Sequence, residues 1–483
     1  MAEDSRSPDQ SSWLEAAGIP HILRTLGLAV HPAKVGMALA ALILTFALGG
    51  VLDLLFKADG GVSESAVSHF VANQTLHQPY EEPSGELGIF RVWRDHQKQC
   101  IRGLLGGSLL KSSAGTTPGG GFIEPRSQLY PGRHLAGMGY GVWWMVSEHF
   151  FYFVLFSIGT LFIWSWGGGA ICRMAALQFA NDEKITLGQA NRYARAHLIG
   201  GFALAPCIPV IGAIVISILL VIGGLVMRIP VLGDFLAGTA FFLALLAGFI
   251  VAILLIGLLV GGHLFWPAVA VEGQDAYDAF SRGLSYAFSK PWKTLLYAII
   301  TTVFAGICWI IVNFFTYAAL AVTRCVVSFG TSPFGWWNRG SNDDPVSKME
   351  LLWPSAGLDA LHAWPQWGEL AWYEHYSGFV IGLFVLLVIG LMWAFLASFY
   401  FSGSTVIYFL LRRDVDKTDL EDVFTEEEKE IESAGLPESA PTDAGDASVP
   451  VLGESLAVPQ SSPPPPPSES PPDDSDNNSS LGG

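Results

Sequence analysis

Six stretches of the chain are apolar and almost free of charge over the length that a helix needs to cross a bilayer, roughly 18–20 residues. They lie at about 35–56, 143–166, 210–228, 235–260, 294–322 and 378–401. Each predicts a membrane-spanning α-helix. Trp143/Trp144 and Trp164/Trp166 bracket the second, and indole, apolar with one polar N–H, favours the two interfaces. The third is punctuated by near-identical pentapeptides, Ile208–Gly212 and Ile229–Gly233, 21 residues apart. That spacing is about 31 Å of helix, the hydrocarbon thickness. Proline suits the start of a span, because its missing N–H would be an orphan there. The sixth apolar run continues to Leu411. It exceeds what a bilayer needs, so its end beyond Ser402-Gly403-Ser404 is expected to leave the membrane.

The polar stretches fill in the rest. Trp13–Val30 reads as an interfacial helix interrupted at Pro20, within an N-terminal segment 1–34. Residues 57–141 and 324–376 are long loops, the first with a helical piece near Ile89–Leu110. The triplet Asn73-Gln74-Thr75 is a glycosylation sequon that reads as a chance match. After Arg412-Arg413 the composition changes abruptly, and 414–483 is expected to be a disordered acidic, Pro-rich tail with a short helix at Asp414–Glu432. The fold class expected is therefore all-α: a polytopic membrane protein with six transmembrane helices, short amphipathic cytoplasmic helices and a disordered acidic C-terminal tail.

Composition agrees with that pattern. Of 483 residues, 51% are hydrophobic and 14% charged, and mean hydropathy is +0.42. A soluble domain carries about 25% charged residues. The formal charge of −17 is local: from Asp414 onward there are 18 acidic and 2 basic residues, which leaves the other 413 residues near neutral. No basic face for nucleic acid is visible. Short flanks with Arg24, Lys34, Arg173, Lys184, Arg282, Lys293 and Arg412 fall on one side and Arg228 on the other. The positive-inside rule then puts both termini in the cytoplasm, for a multi-pass protein of the cell inner membrane.

Two stretches align without gaps at an offset of 89, pairing Glu183 with Glu272, Ala190 with Ala279 and His197 with Tyr286. Each half then reads as span, interfacial helix, span, in parallel orientation; chance similarity of alanine-rich helices is the competing explanation. In the second copy Ala276, Ala279, Phe280, Gly283 and Ala287 share a helical face, with Asp278 and Arg282 opposite. The stretch Pro267–Gly273 with Asp275, Ala279, Arg282, Tyr286 and Pro291 is similar to one in the membrane domain attached to some glycerophosphodiester phosphodiesterases. Through Gly168–Glu183, Ile229–Gly233, Val269–Tyr286 and Tyr408–Asp422, the chain from about 140 to 420 resembles a family of uncharacterised bacterial multi-span inner-membrane proteins. The resemblance implies a six-span helical protein and no assigned activity. The phosphodiesterase's catalytic barrel has no counterpart here.

The motifs of P-loop ATPases, zincins, serine hydrolases and zinc ribbons are absent from the sequence. Glu148 and His149 are candidates for a proton relay in the second span, or else wet groups at headgroup level; Trp143/Trp144 favour the latter. Asn313 suits interhelical hydrogen bonding. Glu272 is placed to cap the amphipathic helix that carries Arg282. Arg173 and His263 read as snorkelling side chains, and Cys172, Cys207 and Cys308 as small apolar residues. Cys100 and Cys325 are candidates for a disulfide on the outer side.

No catalytic, cofactor or metal site is expected. Partners expected are the lipid bilayer and proteins that bind the tail or the outer loops. The functional reading is a non-enzymatic membrane scaffold or interaction protein, with a transporter or channel of two parallel two-span repeats as the alternative.

Overall fold

The computed structural model of the chain describes residues 18–56, 61–76, 84–106, 131–230, 232–331, 347–355, 361, 365 and 367–424. The chain divides after Glu426. The second unit, with the expected disordered tail beyond Phe424, lies outside the described residues, as do Trp13 and Pro79.

Helices dominate. Among the described residues six are long and apolar enough to cross a membrane, which suits a multi-pass membrane protein. In chain order these are α3 (Pro32–Phe56), α7 (Phe150–Asn181), α9 (Leu204–Val226, entered through a π-helical turn at Leu198–Ala203), α10 (Leu232–Glu272), α12 (Pro291–Thr331) and α14 (Trp372–Asp416). The shorter helices are α1 (Ile19–Leu23), α2 (Thr25–Ala29), α4 (Ala66–Leu76), α5 (Ile89–Gly106), α6 (Pro131–Glu148), α8 (Leu187–Ala196), α11 (Ala276–Ser289) and α13 (Lys348–Leu352).

Several expectations are corrected. The N-terminal segment is packed into the bundle: α1, α2 and α3 form one broken path antiparallel to α14. Gly18 faces Leu410, Thr25 faces Gly403, the Ala29 carbonyl accepts from Ser398 Oγ at 2.8 Å, and Leu39 faces Gly390. The break falls at Arg24, while Pro20 sits in the first turn of α1, where its missing N–H does no harm. The sixth apolar run stays helical through Ser402-Gly403-Ser404. Helix α14 continues to Asp416, and Ser402–Leu411 is buried throughout against the N-terminal path, α7 and α10. Buried hydroxyls here are satisfied along the helix, as Thr405 Oγ1 donates to the Phe401 carbonyl at 2.8 Å.

Pro206 and Pro209 do not break the third span. Helix α9 runs through both. Pro206 has no N–H for the Phe202 carbonyl, and Trp266 Nε1 of α10 donates to that carbonyl instead, at 2.6 Å. The second span starts at Phe150, after an interruption at His149, and continues past the Gly167-Gly168-Gly169 triplet, where a Cβ on Gly168 would meet the Phe401 ring at 2.5 Å.

The described part of loop 57–141 folds as a cap at the end of the bundle opposite residues 412–424. A short antiparallel pair (β1 Gly61–Val62, β2 Ser84–Gly85) with α4, α5 and α6 encloses Val67, Phe70, Phe90, Trp144 and Tyr152. The end of α3 ties it down. Asp53 accepts from the Phe90 N–H at 2.8 Å, the Arg91 N–H at 3.3 Å and the Tyr152 hydroxyl at 2.9 Å. Its carboxylate thus satisfies orphan donors and the positive end of α5 from another helix.

Candidate functional site

Helix α10 ends at Glu272, so its last four carbonyls lack intrahelical partners. Gly273 follows at φ 64, a left-handed conformation that glycine adopts without strain. Its N–H returns to the Val269 carbonyl at 3.0 Å. Three other elements supply further donors to the carbonyls of Val269, Ala270 and Val271. Tyr193 of α8 donates its hydroxyl to the Val269 carbonyl at 2.8 Å. Arg173 of α7 donates to the Ala270 carbonyl at 2.8 Å. The Phe424 N–H donates to the Val271 carbonyl at 3.0 Å. Arg173 also donates to the Phe424 carbonyl at 2.9 Å and lies 4.3 Å from the centre of the Tyr193 ring. A cation at the negative end of a helix is favourable. Arg173 is 5% exposed, so it is a helix cap rather than a snorkelling side chain.

The Glu272 side chain lies beside this cap. Arg282 of α11 meets Oε2 at 2.7 Å, the Tyr408 hydroxyl of α14 donates to Oε1 at 2.5 Å, and Arg412 Nε lies 3.4 Å from Oε1. The cluster extends along α14, where Asp416 accepts from Tyr286, and Asp414 accepts from Lys293 at 2.7 Å and from Tyr297 at 3.2 Å. Burial first, then the hydrogen bond to Asp416, pushes the Tyr286 hydroxyl above its ordinary value, so it remains a donor. Arg412 also donates to the Asp422 carbonyl at 2.6 Å and to its carboxylate at 2.9 Å.

Those contacts explain residues 417–424. After Lys417 ends α14 in the left-handed conformation (φ 62), the chain turns back over the bundle. Asp422 and Phe424 fasten it, and Val423 is buried. The start of the acidic tail is therefore a packed strap, and the expected helix at Asp414–Glu432 is instead the last turn of α14 followed by this turn and strap as far as Phe424. Phe424 stacks where a Cβ on Gly273 would intrude, at 2.5 Å. Glycine is needed there twice, for its φ and for the space.

Both oxygens of Glu272 are engaged by cations and a hydroxyl, so the arrangement holds charge in place. Among the described residues no group of three His, Cys, Asp or Glu side chains is placed to hold a metal ion.

Of the candidates read from sequence, Glu272 and Arg282 are brought together here. Glu272 does not cap α11; Asp275 occupies that position, and Glu272 pairs with Arg282 instead. Glu148 is exposed at the end of α6, and His149 occupies the break before α7 with its ring 4.8 Å from that of Trp144. Asn313 is buried on α12, away from this cluster. Cys100 and Cys325 are free thiols. Cys100 is buried on α5 with its Sγ 3.6 Å from His96 Nε2, and Cys325 is exposed on α12, so the expected disulfide is not made.

Sequence reasoning missed Tyr408, Arg412, Tyr193, Lys34 and the strap. Lys34 reads as a flanking charge, yet it is 1% exposed and donates to Gln178 Oε1 of α7 at 2.8 Å. A Tyr and an Arg four residues apart, ending an apolar run, are the available signal for Tyr408 and Arg412.

The two halves of the offset-89 alignment have the same local plan. Helices α7 and α10 end at residues followed by left-handed Asp182 and Gly273. The short helices α8 and α11 start at N-caps Thr186 and Asp275, 89 residues apart. Comparison with family models, with curated proteins and with solved structures finds no match to this chain.

Proposed function

We propose that this is a non-enzymatic inner-membrane scaffold that fixes the root of a cytoplasmic acidic tail and presents that tail to protein partners. The observation that carries the reading is the strap, held by Arg173, Arg412 and the Val271 carbonyl at the end of the bundle where the N-terminal path also enters. A tail that begins at a fixed point loses less freedom when a partner engages it. The basic flanks at this end support a cytoplasmic location for both termini. The motif likeness to uncharacterised multi-span inner-membrane proteins supports the setting.

The test is photo-crosslinking of the full chain in its native membrane from the exposed position Glu421. Discrete heavier species that disappear on deletion of 427–483 are expected. Failure of any adduct to form from Glu421, in either detergent or membrane, sinks the reading.

The alternative of a transporter built on two parallel repeats draws support from the matched N-caps. Cys308 separates the two. It is 5% exposed and sits in a cluster with Ala29, Phe395 and Phe399. With the other four cysteines replaced, a membrane-impermeant thiol reagent is expected to leave Cys308 unlabelled until denaturant is added. Rapid labelling in intact membranes favours transport.

A further inference from the structure

We infer that a cavity at the cap-side end of α12 is a binding site for a phosphate group, carried on a lipid headgroup or free in solution. Helix α12 lays Tyr317, Arg324, Cys325 and Ser328 along one wall, and Trp353 and Ser355 form the other. The cavity volume is about 370 Å³, which falls in the range of small-ligand sites, roughly 300–1,000 Å³.

Several donors line this cavity beside Leu320, Ala321 and Leu361. Arg324 Nε donates to the Trp353 carbonyl at 3.0 Å, and one terminal nitrogen pairs with Glu350. Those bonds fix the guanidinium plane and, among the described residues, leave the second terminal nitrogen for a ligand. Glu350 is not part of the cavity wall; its carboxylate holds one side of the guanidinium, and Arg324 itself lines the cavity. Trp353 is 5% exposed, and among the described residues its indole N–H has no partner. A buried donor left unpaired is unfavourable, and a ligand oxygen satisfies it. The forked N–H groups of arginine, with hydroxyls beside them, match phosphate geometry.

Depth points to the same ligand. No charged residue lies between Lys293 and Arg324. The 31 helical steps between them span about 46 Å, close to the ~40–45 Å bilayer thickness with headgroups included. With Lys293 paired to Asp414 at the strap end, Arg324 falls among the headgroups of the opposite leaflet.

Cys325 lines the cavity and is exposed, so it is a native reporter. The full chain is taken with its other four cysteines replaced, in phosphate-free maltoside micelles. The rate of reaction with uncharged N-ethylmaleimide is then measured against inorganic phosphate, phosphatidylglycerol or diacylglycerol. Phosphate-bearing species are expected to slow labelling about fivefold at a concentration four times Kd, because only unoccupied protein reacts. Slowing by phosphatidylglycerol alone identifies a headgroup, and slowing by inorganic phosphate identifies the free ion. Arg324→Gln is expected to abolish the protection. Trp353→Phe, which keeps the ring and loses the N–H, is expected to raise the half-protecting concentration several-fold. The inference is overturned by an unchanged rate with both phosphate species, by equal slowing with diacylglycerol, or by protection that survives Arg324→Gln. If Arg324→Gln does not fold, an unchanged half-protecting concentration in Trp353→Phe overturns it.

Discussion

Replacing Glu272 by Gln keeps the shape of the side chain and removes the charge that two guanidinium groups share. The carboxylate is 5% exposed, the Arg412 side chain 12% and the Arg282 side chain 41%. Breaking a buried ion pair from one side costs about 3–5 kcal/mol, because the partner charge is left uncompensated. Arg282 reaches water and needs less compensation, so the lower end, about 3 kcal/mol, is expected for Glu272→Gln. That is roughly a 150-fold change in the folding equilibrium. Arg412→Ala is expected to cost nearly as much, since it also releases Asp422. Arg282→Ala should cost about 1 kcal/mol or less, as exposed pairs do. The measurement is reversible unfolding in mixed micelles by increasing SDS fraction, followed by tryptophan fluorescence. A Glu272→Gln protein within about 0.5 kcal/mol of the native chain, the usual range for an inconsequential surface change, refutes the reasoning. So does an Arg282→Ala cost equal to that of Glu272→Gln.

Gly273→Val removes a left-handed position and drives a side chain into the Phe424 ring, so the strap is expected to detach. Limited proteolysis between Lys417 and Phe424 should accelerate while the bundle stays intact, and unchanged cleavage counts against the packing described. Gly88→Ala puts a Cβ 2.1 Å from Asp53 Oδ2, and loss of the cap on α5 should cost about 1–2 kcal/mol. Combined with Asp53→Ala the effects should fall short of additive, because both act on one contact; full additivity in a double-mutant cycle argues otherwise. His96 on α5 donates its ring N–H to the Gly137 carbonyl at 2.9 Å, and burial holds its pKa below 6.5 against the raising effect of that carbonyl. The unfolded state therefore binds more protons as pH falls, so the α5–α6 contact is stable above pH 6.5 and weakens below it. Hydrogen exchange of α5 at pH 7.5 and 5.5 should show this, and His96→Gln should flatten the difference.

The six spans were legible because a bilayer demands long uncharged runs, and nothing else in the chain has them. Their ends were not. Helix α10 reaches Glu272 and α14 reaches Asp416 because neighbouring protein covers residues that composition assigns to an interface. The Trp143/Trp144 pair marked the interface near Glu148, but the interruption at His149 has no sequence signal that distinguishes it from an ordinary helical step. Glu272 and Arg282 were legible as an acid at the end of one helix and a base on the polar face of the next. Tyr408 and Arg412 lie 136 and 140 residues from Glu272, and no local pattern reports a contact of that range. The Cys100–Cys325 disulfide failed because the loop carrying Cys100 folds into its own cap with that thiol buried, and the same burial pushes the Cys100 pKa up.

Helix α10 is packed unevenly. Leu264–Val271 are gripped on all sides, whereas the membrane-spanning part before them is almost unburied and pairs chiefly with α9. In mechanical terms it is a cantilever with its root at Glu272. About thirty residues project from that root, roughly 45 Å, so a tilt of about 10° moves the free end by some 8 Å. Bilayer thickness sets the tilt that a long apolar helix adopts. A thinner or thicker bilayer thus applies torque to the root, where the Arg282 and Arg412 pairs and the Phe424 strap meet.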